Sequence, residues 1–522
     1  MTATQAPAVE ATDVARDEST ADLAGVLGSA DHKVIGRLYV GAALMFGLAS
    51  AVAGVLAGID RIDGELGNTI LATDTAPQVL SFHRLSVPLL CLIPALLGLA
   101  MIVVPLQVGA RAIAFPRAAA ASFWGWIVGA ATFAAAFALN GGPGGGRSDA
   151  VDLWLTATAL ITASLLLGAV CVGATVLAAR TRDMTLDRVP FFSWSMLCTT
   201  AIWLLTLPVL LAITVLLYVD HRFADTLFGA GGALDSHLDW INRAPQVYAL
   251  AIPLLGGALD AVATASGRRF PNRGVAFTLI GAFAALGIGA FALPTLVPAA
   301  ADQPVTKGMA LLVVLPVLGL VGLVGTALKD AKPQITSGLV AGVVGLLVLL
   351  LATLVGAAVP FQSLLELQGT QWISAHSHLV TGAALIGLVG GLYHWSTKIV
   401  GLAGNEALGR TAPVLIGLGV VLVAAPEAVS GLVGDAEEAV NGLEVANVVS
   451  VVGAAVLLLG SAVAVAGLAR RRHDDEPSDP WAGQTLEWAT ASPPSFDNFD
   501  GEVPAVDSAE PLLAVQSEEG DS

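Results

Sequence analysis

The stretch QWISAHSHLVTGAALIGLVGGLYHW (371–395) contains no Asp, Glu, Lys or Arg along its whole length. A helix needs roughly 20 apolar residues to cross a ~30 Å hydrocarbon core, and a run of this length is far too long for a strand. The stretch therefore predicts a transmembrane helix. Its histidines are His376, His378 and His394. An ionisable side chain at membrane depth is costly, so each is by default a candidate functional residue, with a hydrogen-bonded packing role as the plain alternative. His376 and His378 stand two positions apart and point about 200° from one another on a helix. Each faces a different neighbour, which suits two separate sites flanking one helix better than one metal held by both.

The same reading extends in both directions. Apolar spans lie at about 34–57, 78–106, 120–141, 151–180, 194–219, 245–265, 274–297, 306–328, 335–359, 371–397, 411–432 and 444–469, each bounded by charge, Pro or Gly. Together they predict an all-α integral membrane protein of about twelve transmembrane helices. Helices satisfy their own backbone polar groups in lipid, and the alternating ten-residue pattern of an outer-membrane barrel is absent. Composition agrees: 55% of residues are hydrophobic and 12% charged, about half the charged fraction of soluble domains.

Of the 24 basic residues, eighteen fall on one side if the first residue and the last share a compartment, among them Arg111, Arg180, Arg188, Arg268, Arg273, Lys398 and Arg410. The opposite loops carry mainly acids. By the positive-inside rule both termini are expected in the cytoplasm, which favours a bacterial or archaeal cytoplasmic membrane. The net charge of −17 comes from tails and loops, and no basic patch suggests a nucleic-acid partner. Residues 1–30 and 471–522 are expected to be disordered tails, the second one acidic, flanking a membrane domain over 31–470. Residues 1–30 lack the basic start and apolar core of a cleavable signal peptide. Cys91, Cys171 and Cys198 lie apart in apolar spans and predict buried thiols rather than disulfides. The GGPGGG run (141–146) has no Lys-Ser/Thr after it and reads as a turn, not a phosphate loop.

His83 is a fourth histidine at membrane depth. Histidine is a common axial ligand of haem iron, and a pair on two helices makes an electron-transfer haem. At this point a resemblance enters. The 371–395 stretch resembles the tenth helix of subunit I of the haem-copper oxidases. In the same order, DHKVIGRLYV (31–40), FHRLSVPLL (82–90), VVPLQVGARAIAFPR (103–117), MTLDRVPFFSWSML (184–197), LPVLLAITVLLYVDHRF (207–223) and GGALDSHLDWINRAPQVYALAIP (231–253) resemble that family's first, second, fifth and sixth helices and their approaches. The likeness is collinear from residue 31 to about 397.

The resemblance implies a low-spin haem held by His83 and His378, a second haem on His376, and Arg61 beside the first. Arg84 and Ser377 depart locally from the family pattern. The copper ligands are missing: Ala244 stands at the first, and no histidine lies between His237 and His376 to supply the others. Copper needs imidazole or thiolate donors, so no copper is expected. Tyr248 is retained four residues after Ala244. Gln246 replaces the helix-six glutamate, Ala112 replaces the acid at the mouth of one proton channel, and residues 308–328 lack the lysine of the other. The propionate-binding arginines are absent near VGDAEEAVNG (433–442), and Gln368 and Gly369 replace the family's magnesium ligands. His394, beside Trp395, is expected at the membrane interface rather than as a ligand.

These residues imply an oxidase-like membrane haem protein that transfers electrons without copper-dependent oxygen reduction. Lipid, other respiratory-complex subunits and a cytochrome or quinol donor are its implied partners. Two other readings stay open from sequence: a terminal oxidase or nitric oxide reductase with an atypical metal site, and a cofactor-free structural or assembly subunit.

Overall fold

In a computed structural model of the protein, the described residues are 25–26, 28–63, 67, 69–223, 246–296, 303–329, 331–361, 364–365, 369–433, 440–469 and 479–513. Twelve helices among them are long and apolar enough to cross a membrane. In chain order they are α1 (His32–Asp60), α2 (Ala76–Gln107), α3 (Pro116–Ala138), α4 (Ser148–Ala178), α5 (Phe191–Phe223), α6 (Gln246–Ser266), α7 (Arg273–Leu296), α8 (Pro304–Lys329), α9 (Ser337–Ala358), α10 (Gly369–His394), α11 (Glu406–Val433) and α12 (Val440–Ala469). The all-α integral membrane fold expected from the apolar spans is the one observed.

Local chemistry sets the helix boundaries. Asp31 caps α1 by accepting the Lys33 N–H at 2.9 Å, and Thr336 caps α9 by accepting the Leu339 N–H at 3.2 Å; both satisfy backbone donors that a helix start leaves orphaned. Pro116 opens α3, where its missing N–H costs nothing. Pro88 falls inside α2, and residues Val87–Leu92 relax into a π-helical turn there. That turn begins four residues after His83.

The helix α2 is the most enclosed, packed between α1, α4, α5 and α10, whereas α12 and α8 turn much of their apolar surface outward to lipid. Tyr39 of α1 joins α3 through ring contacts with Phe123 and Trp126 at 5.1 and 5.2 Å. The cysteines are free thiols, two buried and Cys198 partly so.

The expectation of a disordered acidic tail over 471–522 fails for residues 479–513. This segment lies across the basic ends of the helices. Leu486, Glu487, Trp488, Phe499 and Val506 are buried in it. His32 and Lys33 contact the Asn498 side chain at 3.0 and 3.1 Å, whose amide donates to Ala110 at 2.7 Å. Arg188 donates to the Val506 carbonyl at 2.8 Å, and Arg273 pairs with Glu510 at 3.5 Å. The averaged composition of the tail hid its spaced aromatic residues. Its acids also had partners waiting in the basic loops of the membrane domain.

Candidate functional site

Helices α1, α2, α10, α11 and α12 enclose a cavity, mostly apolar, whose lining includes Gly54, Arg61, His83, His378 and Glu427. His83 enters from α2. Its Nδ1 lies 2.8 Å from the Ser50 carbonyl oxygen of α1 and 3.3 Å from that residue's hydroxyl. A carbonyl can only accept, so the Nδ1 carries the proton and Nε2 keeps its lone pair. The approach of the ring to α1 depends on Gly54, where an added Cβ would stand 2.7 Å from His83 Cε1.

His378 enters from α10, and its Nδ1 lies 2.7 Å from Glu427 Oε2 on α11. A carboxylate can only accept, so Nδ1–H donates to it, and the neutral imidazole then carries its lone pair on Nε2. Two imidazoles from different helices, each with Nδ1–H held by an acceptor, form the donor set that a six-coordinate haem requires. The cavity, the donor set and the glycine cradle fit such a group. Arg61, at the end of α1, lines the same cavity, and its carbonyl accepts from the Asn447 amide of α12 at 3.0 Å.

His376 has a different environment. Its Nε2 lies 3.0 Å from the Tyr248 hydroxyl, with ring centroids 5.4 Å apart. Gly356 of α9 closes the third side: a Cβ there would meet His376 Nε2 at 2.6 Å and Tyr248 Oη at 2.7 Å. The Tyr248 hydroxyl occupies the space in which iron would have to approach Nε2. This packing does not fit the second haem expected on His376. Thus α10 carries its two histidines to opposite environments, as their spacing implies, and the cavity receives one of them.

Ala244, Gln368 and the loop at 433–442 lie outside the described residues, apart from the helical backbone at Val433 and Val440–Gly442, and nothing is described of the side chain of Gln246. Among the described residues no group of three or more His, Cys, Asp or Glu could hold a metal ion. His394 ends α10. It is buried between Trp395 and Trp488, with ring centroids 4.9 and 5.3 Å away, because the C-terminal segment covers it.

Two acids went unread in the sequence, Glu427 and Asp260. Each interrupts an apolar span, a signal that points to function or to a satisfied structural role. Asp260 proves structural: it accepts the N–H groups of Phe191 and Phe192 at 3.0 and 2.9 Å and so caps α5. Gln107 joins it at 3.1 Å to Glu487 of the C-terminal segment, itself 3.0 Å from the same amide nitrogen. Burial pushes the Glu487 carboxyl above its usual range, and burial likewise raises Asp479.

The family described as cytochrome c and quinol oxidase polypeptide I matches residues 34–456. The chain is 29% identical to cytochrome c oxidase subunit 1 of a Synechocystis species, with 90% of each chain covered. It is 30% identical to a putative cytochrome c oxidase subunit 1-beta of Streptomyces avermitilis, covering 94% of this chain and 93% of that one. It is also 30% identical to a haem-copper oxidase subunit I+III of Aeropyrum pernix, covering 94% of this chain and 63% of that longer one.

Proposed function

We infer that this chain, which belongs to the cytochrome c and quinol oxidase polypeptide I family, is a one-haem electron-transfer subunit without a copper-dependent oxygen-reduction centre. The observation that carries this reading is the contrast among three histidines. His83 and His378 present Nε2 lone pairs with their Nδ1 protons bound, while the Nε2 of His376 is engaged by Tyr248.

His83 and His378 would hold a haem between them, and it would supply reversible one-electron chemistry there. The protein's own residues perform the rest. Ser50 and Glu427 hold the two imidazoles in ligating tautomers. The apolar walls exclude water, and Arg61 offers a cation at the cavity end for an acidic haem substituent. The replacement of copper ligands and proton-carrying side chains, Ala244 and Gln246 among them, supports electron passage in place of oxygen reduction and pumping. We place both termini and the basic helix ends in the cytoplasm, in the membrane of a bacterium or archaeon. Other respiratory subunits and a cytochrome or quinol are the proposed partners.

The test is metal and haem analysis of the purified full-length protein, with reduced-minus-oxidised spectra. One haem, one iron and no copper per chain are expected. Stoichiometric copper, or rapid oxygen consumption with a cytochrome or quinol donor, overturns the reading in favour of an active oxidase. Absence of haem overturns it in favour of a structural subunit.

A further inference from the structure

The two imidazoles facing the cavity are not held alike. His83 donates to a neutral carbonyl, that of Ser50 at 2.8 Å. His378 meets a carboxylate, that of Glu427 at 2.7 Å. Glu427 is four-fifths buried, comes from a separate helix and lines the same cavity. The contact is therefore part of the packed bundle and not a surface ion pair.

We propose that Glu427 is a positioning residue for His378 that also sets a low reduction potential for the haem held there, an inference that rests on the haem reading above. A carboxylate accepting the Nδ1 proton fixes the ring orientation and makes the imidazole a stronger donor to a metal. It also brings a negative charge close to the iron in a medium of low dielectric. Both effects favour the oxidised iron, which carries one more positive charge than the reduced iron. Gln at the same position keeps the shape and one hydrogen-bonding oxygen but removes the charge. Arg61 lines the cavity and Arg84 follows His83. Both oppose the field of the carboxylate, and both stay unchanged in E427Q, so the variant reads the carboxylate alone.

The experiment is a potentiometric titration of wild type, E427Q and E427D, full-length and in the same detergent, with haem content measured beside it. E427Q is expected to retain haem and to raise the midpoint by at least a tenfold change in the reduced-to-oxidised ratio, 59 mV for one electron. Haem retained with that ratio changed less than twofold overturns the proposal and leaves the haem reading standing. A wild-type protein without haem overturns both. Should E427Q lose its haem, E427D decides. Haem recovered with a ratio within threefold of the wild type supports the carboxylate's role, and haem lost equally in both variants overturns it.

Discussion

Lys398 donates through Nζ to the carbonyl of Thr490 at 2.6 Å, tying the turn after α10 to a segment that follows the last transmembrane helix. The same ammonium lies 5.6 Å from the centre of the Trp488 ring. Lys398 is buried, and burial lowers its pKa to about 8.

This burial predicts an alkaline response. The free side chain titrates near 10.5, so between about 8 and 10.5 the undocked chain holds more protons than the docked one. Docking therefore strengthens as pH rises through that window. Glu487 and Asp479 act in the opposite sense at lower pH. Their folded pKa values are raised, so their favourable contribution is complete below the ordinary carboxylate range and declines as pH rises through it. Protease protection of residues 479–513 should thus pass through a minimum between the two windows. In K398M the alkaline rise should disappear while the acid limb remains.

The Trp488 side chain predicts a stability effect. It is 4% exposed and stacks edge-on to His394. Loss of a buried aromatic side chain costs about 3–5 kcal/mol. W488A should lower the thermal unfolding midpoint in detergent and open the segment to proteolysis at temperatures the wild type resists.

Gly54 predicts a haem-loading defect without any change to a ligand. A methyl group at this position would push the His83 ring away from Ser50. Displacing such supporting contacts costs about 10–100-fold in metal affinity. G54A should bind haem correspondingly more weakly in titrations of the apoprotein, while G41A, where an added Cβ meets nothing within 4 Å, serves as the comparison on the same helix.

The three histidines should separate under substitution. H83A and H378A are expected to lose the six-coordinate spectrum. H376A and Y248F are expected to retain one haem per chain and its spectrum. A loss of one haem from two in H376A would restore the second site and overturn the one-haem reading.

Much of this architecture is legible in the residues themselves. The twelve spans announce themselves because lipid tolerates little besides apolar side chains, so charge and Pro mark their limits. His83, His376 and His378 stand out for the same reason. Their different partners do not, because Tyr248 and Glu427 lie 128 and 49 residues from the histidines they meet. Only packing reveals which imidazole nitrogen is engaged. The segment 479–513 escaped because mean composition says little about a stretch that folds onto another surface. Trp481, Leu486 and Trp488 are too few to form a core alone; Leu486 and Trp488 are buried, and Trp481 half-buried, only because helix ends are already there to receive them.

Gln107 and Glu487 are 380 residues apart in the chain. During synthesis the amide of Gln107 is made and followed by ten further described helices before its second carboxylate partner leaves the ribosome. The basic end of the bundle is completed last, after every membrane crossing is in place. A chain released before residue 479 would carry all twelve described helices and still lack the segment that covers His394 and Lys398. Docking of this cover is thus a step distinct from membrane insertion.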